Sequence, residues 1–437
     1  MKVLNIISLT VILLFTTIIC GCSGIGDPEK PLSVPSNAVV PIEPMPNKMI
    51  TDIYWDATVS MQGFTRLASG NVYRSLPDIM GDLASSPLGK DPGEVHFFRF
   101  GEQITPIEGR EYRRFINPDY YTETITSFSS VLDVADPTHL SIVVTDLFEN
   151  DADWSNVTQK LREKYFSKHL TVAIMGIKNP FMGEIYDVGL NAATYSHNSG
   201  DDPNMFRPFY LFLMGPEIQV RTFMTKLKES QSQEAEIECA VFSEHFTPQV
   251  FAFNLASAKE KQNLFEDRQL QKSDERLQEI GIANHKENVH LSLVGKCQLS
   301  PYICLSEENL NNLDPQINIY SLNSDEQWER QDLGKGVKST FSFQGGDSTL
   351  NVTFPPDGVM PRGKIGLLQI KVAPTKDNLD IPQWLNDWDM GDIDANPDSF
   401  DGSKTVNLKR IANSLKDSLL AAANPTLAEF YLVVDGR

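Results

Sequence analysis

The stretch Ile53-Tyr54-Trp55-Asp56-Ala57-Thr58-Val59-Ser60-Met61 decides how the chain is read. Ile53 to Trp55 is a short apolar run of the kind that forms a strand buried on both faces. Directly after it, Asp56, Thr58 and Ser60 put three oxygen-bearing side chains at alternate positions. In open α/β sheets ligands bind outside the carboxyl ends of the strands, near a point where the strand order reverses. A second run, Leu140 to Val144, is apolar throughout and ends in Thr145-Asp146. Two carboxylates and two hydroxyls are therefore expected to converge at one sheet edge. Hard cations such as Mg²⁺ or Mn²⁺ take oxygen ligands, and Mg²⁺ keeps several of its waters, so this set suffices for one of them. Soft-metal sites need Cys or His, which the two runs lack.

Outward from these runs, apolar strand-like stretches alternate with helical patterns. Ser75-Leu76-Pro77-Asp78 reads as a helix start, with Ser75 capping and Asp78 at the capping-box position, and Ile79, Met80 and Leu83 follow at helical spacing. Val95 to Phe100 is a second strand, and residues 101–115 hold a turn and a short returning strand. Val157, Leu161 and Tyr165 give a helix capped by Asp153; Leu170 to Ile177 and Tyr210 to Met214 are further strands; Val220, Phe223, Met224 and Leu227 mark the helix after them. This alternation predicts a three-layer, Rossmann-like α/β domain with a mainly parallel sheet over residues 49–232. Residues 237–437 read as a β-rich domain with a C-terminal helix and strand. Its charged segment 257–287 is expected to be a helical connection. Short alternating runs follow at His290 to Val294, Ile317 to Leu322, Ser339 to Phe343, Leu350 to Phe354 and Ile365 to Val372, with a hairpin signal at Gly345-Gly346-Asp347. Leu408, Ile411, Leu415 and Leu419 mark the last helix, and Phe430 to Val434 the last strand.

Asp56-Ala57-Thr58-Val59-Ser60 resembles the Asp-x-Ser-x-Ser motif of von Willebrand factor A domains, with Thr58 keeping the hydroxyl of the first Ser. Val143 to Asp146 is similar to the strand end that supplies the family's later metal Asp. The resemblance covers residues 49–232 and implies a bound Mg²⁺ or Mn²⁺. Thr58 and Ser60 would touch it directly, and Asp56 and Asp146 would support it. The family adds a Thr from a loop between these strands. Thr122, Thr124 and Thr126 are available, and Thr124 is the expected one. Between Ile177 and Tyr210 the family usually carries a helix, whereas Gly183 to Asp187 and Ala192 to Tyr195 look like short extended segments. The implied function is non-enzymatic: a protein partner's acidic side chain completes the coordination, in adhesion or scaffolding.

Two other readings stand beside it. Haloacid-dehalogenase-type phosphatases also place a nucleophilic Asp after the first strand, which would make Asp56 the nucleophile of a phosphoryl hydrolase. Their second Asp is Thr58 here, and no general acid sits beside Asp56 in sequence. In a purely structural envelope protein Asp56 would cap the next helix, and Thr58 and Ser60 would bond backbone groups. The acidic residues Asp387, Asp389, Asp392, Asp394, Asp398 and Asp401 read as a solvated loop. Trp384 and Trp388 beside them read as packing residues.

The formal charge of −20 repels nucleic-acid phosphates, so no nucleic-acid partner is expected. Lys2, the apolar run Val3 to Ile19 and the small residue Gly21 describe a secretory signal over residues 1–21. Cys22 directly after Gly21 resembles a bacterial lipobox, which implies an extracytoplasmic lipoprotein held to the membrane through a diacylglycerol on Cys22. Residues 22–48 carry Pro28, Pro31, Pro35, Pro41, Pro44 and Pro46 and read as an extended tether. Cys297 and Cys304 are the expected disulfide, and Cys239 a buried free thiol. Cells expressing the chain should incorporate labelled fatty acid into it, and Cys22→Ala should abolish that label; a labelled variant would reject Cys22 as the anchor.

Overall fold

Apolar runs buried on both faces build a seven-stranded sheet. Its members are β1 (Ile50–Asp56), β2 (Glu94–Phe100), β3 (Ile104–Ile107), β4 (Leu140–Thr145), β5 (Thr171–Asn179), β8 (Arg207–Gly215) and β9 (Ile237–Phe242), in the order β3-β2-β1-β4-β8-β5-β9. The computed structural model describes residues 28, 30–36, 38, 43–67, 70–147, 151–188, 192–231, 235–245, 250–254, 264–265, 270–274, 276–296, 305–360, 363–391 and 400–436. The signal, Cys22, Cys297, Cys304, Asp392, Asp394 and Asp398 lie outside these residues.

β1 pairs in parallel with β2 and with β4, and the remaining neighbours pair antiparallel. The sheet is therefore mixed, with β1, β2, β4 and β5 running one way. The cause lies after β5. A parallel neighbour needs a long crossover, usually a helix. Here the chain instead folds back as a hairpin, β6 (Met182–Val188) with β7 (Ala193–Asn198), and returns as β8 between β4 and β5. The short extended segments expected at this point are that hairpin.

Successive side chains point to opposite faces of a strand. Ile53, Trp55, Ile142, Val144, Met175 and Leu211 line one face of the sheet and pack with the helices Leu76–Ser85 and Glu217–Ser230. Tyr54, Val143, Ile174 and Phe212 line the other and pack with Phe128–Val134, Asp151–Lys164 and Leu408–Ala422. This is the three-layer α/β arrangement expected from the sequence.

Ten further strands form two open sheets. The first is β10 (Val250–Asn254), β13 (Val289–Lys296), β17 (Asp347–Phe354) and β16 (Lys338–Gln344), in that order. The second is β11 (Leu264–Phe265), β12 (Leu277–Ile282), β19 (Ala428–Asp435), β18 (Ile365–Val372), β14 (Gln316–Leu322) and β15 (Trp328–Gln331). The hairpin signal is realised between β16 and β17, where Gly345 and Gly346 take φ of 58° and 90° across a two-residue turn.

Several expectations are corrected. Within 257–287 the described residues form β11 and β12 rather than a helix. Leu277, Ile280 and Ile282 are buried, and the charges are absorbed locally: Glu279 pairs with Lys272, and Arg276 with Asp274. The proline-rich segment is not a free tether throughout. Leu32 is buried against the second sheet, where its N–H donates to Gln271 O at 2.7 Å and Ser273 N–H donates to Leu32 O at 2.8 Å. Ser75 stands at the start of its helix, but its hydroxyl donates back to Val72 O, and Asp78 pairs with Arg113, so no capping box forms. Asp153 falls inside the helix Asp151–Lys164 rather than before it.

The domain boundary also differs. β9 completes the first sheet beyond residue 232, and the helix Leu408–Ala422 covers a face of that sheet. Trp384 and Trp388 pack edge to face at 5.0 Å, and Trp384 Nε1–H donates to Cys239 O at 3.2 Å. Cys239 is itself buried with a free thiol. The two indoles rest on Gly176 of β5, where a Cβ would lie 2.6 Å from Trp388 Cζ3 and 3.0 Å from Trp384 Cζ3. Gly176→Ala should therefore lower stability by roughly 1–3 kcal/mol, the usual cost of overpacking. A denaturant midpoint equal to that of the parent would show that the tryptophans do not clamp β5.

Candidate metal centre

Asp56 closes β1 with its side chain fully buried. Beyond it Ala57 N–H still donates to Phe100 O of β2 at 2.8 Å, and then the chain turns at Val59–Gln62. That turn brings the alternate oxygens back onto the strand end. Thr58 donates twice to Asp56 Oδ1, through its N–H at 3.0 Å and its hydroxyl at 2.7 Å. The hydroxyls of Thr58 and Ser60 lie 3.0 Å apart. Ser60 Oγ donates to Asp146 Oδ1 at 3.3 Å, across the parallel pairing of β1 with β4. Asp56, Thr58, Ser60 and Asp146 thus meet as the sequence predicts.

The threonine that reaches this cluster is Thr126 rather than the expected Thr124. Thr126 Oγ1 lies within donating distance of Asp56 Oδ2 at 3.3 Å and Thr58 Oγ1 at 3.4 Å, whereas Thr124 is exposed. Glu123 sets this register: its N–H donates to Ala57 O at 3.1 Å, and Val59 N–H donates to Glu123 O at 2.9 Å. The chain then bends at Thr124, turning that side chain outward, and Thr126 comes back over the centre. Thr122 accepts a bond from Arg99 instead, and Arg99 also pairs with Glu123 at 3.0 Å. One participant was missed from sequence. Thr145, the last residue of β4, donates its hydroxyl to Asp56 Oδ2 at 2.8 Å, and Leu147 N–H donates to Thr145 Oγ1 at 3.2 Å. The signal was present as a Thr beside Asp146 on the neighbouring strand end.

The walls are rigid. Trp55 Nε1–H donates to Tyr73 Oη at 2.5 Å, the Tyr73 and Tyr121 hydroxyls lie 2.7 Å apart, and Tyr121 donates to Phe115 O at 2.6 Å. Gln62 Nε2 donates to Tyr121 O at 2.9 Å, tying the site turn to this network. On another side the β6–β7 hairpin packs over the turn, with Phe181 against Gly63. Buried Arg207 donates to the carbonyls of Gly402 and Lys404 at 3.2 Å each, and its charge interacts with that of Asp146.

Burial, reinforced by the neighbouring Asp146 charge, pushes the Asp56 carboxyl up to about 7, against the pull of the Thr58 and Thr145 hydrogen bonds. The donor set is two carboxylates and three hydroxyls, all oxygen, which fits a hard divalent cation. No imidazole or thiolate is part of it. Among the described residues no group of three or more His, Cys, Asp or Glu side chains is gathered as a metal centre, and this one contains only two such residues. Compared with protein-family models, curated proteins and solved structures, the chain gives no match.

A carboxyl held at about 7 in the fold against ~3.9 in the unfolded chain is bound to more protons when folded. Its contribution to stability is complete below pH ~4 and is lost as pH rises towards 7. Without divalent ions, stability should therefore fall across that window, and Asp56→Asn should flatten the fall. Denaturant unfolding at stepped pH in EDTA checks this; equal slopes for parent and variant would reject it.

Proposed function

We propose that the chain is an envelope lipoprotein of the von Willebrand factor A kind. In this proposal Asp56, Thr58, Ser60, Thr126 and Asp146 hold Mg²⁺ or Mn²⁺, and the protein engages the acidic side chain of a protein partner without turnover. One observation carries the proposal. The hydroxyls of Thr58, Ser60 and Thr126 face one another and the two carboxylates. Hydroxyls that served only to finish a strand would be spent on backbone carbonyls.

Each residue has a distinct part. Asp56 and Asp146 supply the negative charge that makes a cation welcome in a nearly dry pocket. Thr58 and Ser60 supply neutral oxygens that leave the net charge unbalanced in the cation's favour. Thr126 closes the loop side. When bound, the cation offers a positive charge to a carboxylate oxygen from outside. Because Asp56, Thr58, Ser60 and Asp146 are all buried, a single protruding carboxylate suits the centre better than a flat surface.

The contacts of Asp56 also weigh against nucleophilic turnover. Its oxygens meet three hydroxyls and a backbone amide, none of which is a general acid at neutral pH.

Calorimetric titration of Mg²⁺ and of Mn²⁺ into the full-length chain should show one ion bound per chain. Ser60→Ala and Thr126→Ala should each weaken it by about tenfold or more, roughly 1.4 kcal/mol, while Thr124→Ala binds as the parent does. Equal affinity in all three variants, or no binding by the parent, would overturn the metal assignment. Steady aryl phosphate turnover that disappears in Asp56→Asn would establish a hydrolase instead.

A further inference from the structure

The second sheet has one face in the main core and one turned away from it. Leu368, Ile370, Leu432 and Val434 pack into the core. Alternate residues of the same strands, Leu367, Tyr431 and Val433, form a separate apolar face with Tyr320, Leu322 and Leu270. A segment from far upstream in the chain lies over this face. Leu32 is 3% exposed there, and Val34 and Ala38 pack beside it. Pro35 is also buried.

The contact is made with backbone and apolar side chains rather than with charge. Leu32 pairs with Lys272 as an isolated parallel bridge, donating its N–H to Gln271 O and accepting from Ser273 N–H. The Ser273 hydroxyl donates to the same Leu32 carbonyl at 3.0 Å. Trp328 Nε1–H donates to Ser33 O at 2.5 Å, and Lys30 N–H donates to Glu326 Oε2 at 3.0 Å. Pro31 and Pro35 have no N–H, so the bridge cannot grow into a ladder. Among the described residues, two buried side chains and these hydrogen bonds hold the segment against the ordering entropy of its backbone. A unit with so few buried contacts lies at the low-stability end of a fold and opens without unfolding the sheet beneath it. The face it would uncover is apolar and recruits a new cover.

We propose that this face is a docking groove for an extended segment, filled in cis by residues 30–38 and, once they are released, filled in trans by the same residues of a second copy. The proposal is independent of the metal centre at Asp56. The seated segment identifies the occupant: Leu32 enters the apolar face, its backbone takes the bridge, and the Ser33 carbonyl meets the Trp328 indole. Every copy carries that ligand. Two copies of a chain with a formal charge of −20 repel each other, but residues 31–42 carry no charged side chain, so this stretch crosses to a neighbour without that penalty. The cis segment has the advantage of effective concentration, which keeps the isolated chain closed until the segment is freed. Exchange then links copies through identical elements, as in domain swapping.

The probe is a fluorescent peptide of residues 28–38, titrated into the full-length chain and read by anisotropy. The parent should bind it weakly, because its own segment holds the groove. Leu32→Asp and Pro35→Asp each release that segment, and each should bind the peptide about tenfold or more tighter than the parent does. Adding Trp328→Ala to Leu32→Asp should weaken binding again by about tenfold, the usual effect of truncating an aromatic anchor. Leu32→Asp offers an empty groove, and Trp328→Ala an intact segment loosened from its own groove. Mixed, the two full-length variants should form a one-to-one complex by light scattering, while each alone stays monomeric. The release variants should keep the parent's circular dichroism, since both residues lie outside the named strands and helices. The proposal is overturned if neither folded release variant binds the peptide, if the parent binds it as tightly as they do, or if a scrambled peptide binds equally well. A mixture that stays monomeric overturns the exchange between copies. Loss of the fold in both release variants overturns it as well, because the segment would then be core rather than a releasable cover.

Discussion

A carboxylate buried at the end of a central strand is the constraint around which the first half of this molecule is arranged. Leaving such a group without donors costs several kcal/mol, far more than the net gain of any one hydrogen bond. Asp56 avoids that cost with donors from three separate places: Thr58 two residues on, Thr145 on the adjacent parallel strand, and Thr126 from a loop that Glu123 pins to the strand end. Each donor fixes a piece of backbone. The turn after β1, the end of β4 and the 121–127 loop are held in register by one buried carboxyl. The same burial pushes the Asp56 carboxyl up to about 7.

Much of this arrangement is legible in residue order. Apolar runs with an Asp at their ends identify β1 and β4, and parallel pairing of those runs brings Asp56, Thr58, Ser60 and Asp146 together. The β-rich strands from 289 onward were legible by alternation, and the β16–β17 turn by its two glycines. Thr126 was not legible, because choosing among three threonines depends on where one backbone bend falls, and no local pattern marks it. The departure from a parallel sheet beyond β4 was hidden for a similar reason. A segment without a helical period was visible between β5 and β8, but the side on which the chain would return was not. The segment before β13 misled by its charge: ion pairs such as Glu279 with Lys272 let a strand carry residues that suggest an exposed helix. The ion pair of His169 with Glu244 was invisible because the two lie far apart in sequence and meet only through β5–β9 pairing.

The two ends of the sheet gather different side chains. Parallel neighbours β1 and β4 deliver strand ends carrying hydroxyls and carboxylates to one edge. Antiparallel neighbours β5 and β9 deliver a start and an end to the other, and there imidazoles meet a glutamate. The mixed strand directions are thus the reason both clusters exist in one sheet.

The helix Leu408–Ala422 covers a sheet whose first strand begins at Ile50, and Trp384 and Trp388 lie on β5. A nascent chain that has reached only β9 would hold its strands in order with Tyr210 and Gly176 still lacking Thr405 and the two tryptophans. The strand β19 then closes the second sheet after that helix has passed. Synthesis from the N-terminus therefore does not yield a finished first domain followed by a finished second. Both halves wait for the last tenth or so of the chain, and until then the exposed sheet face is a surface for chaperones to guard.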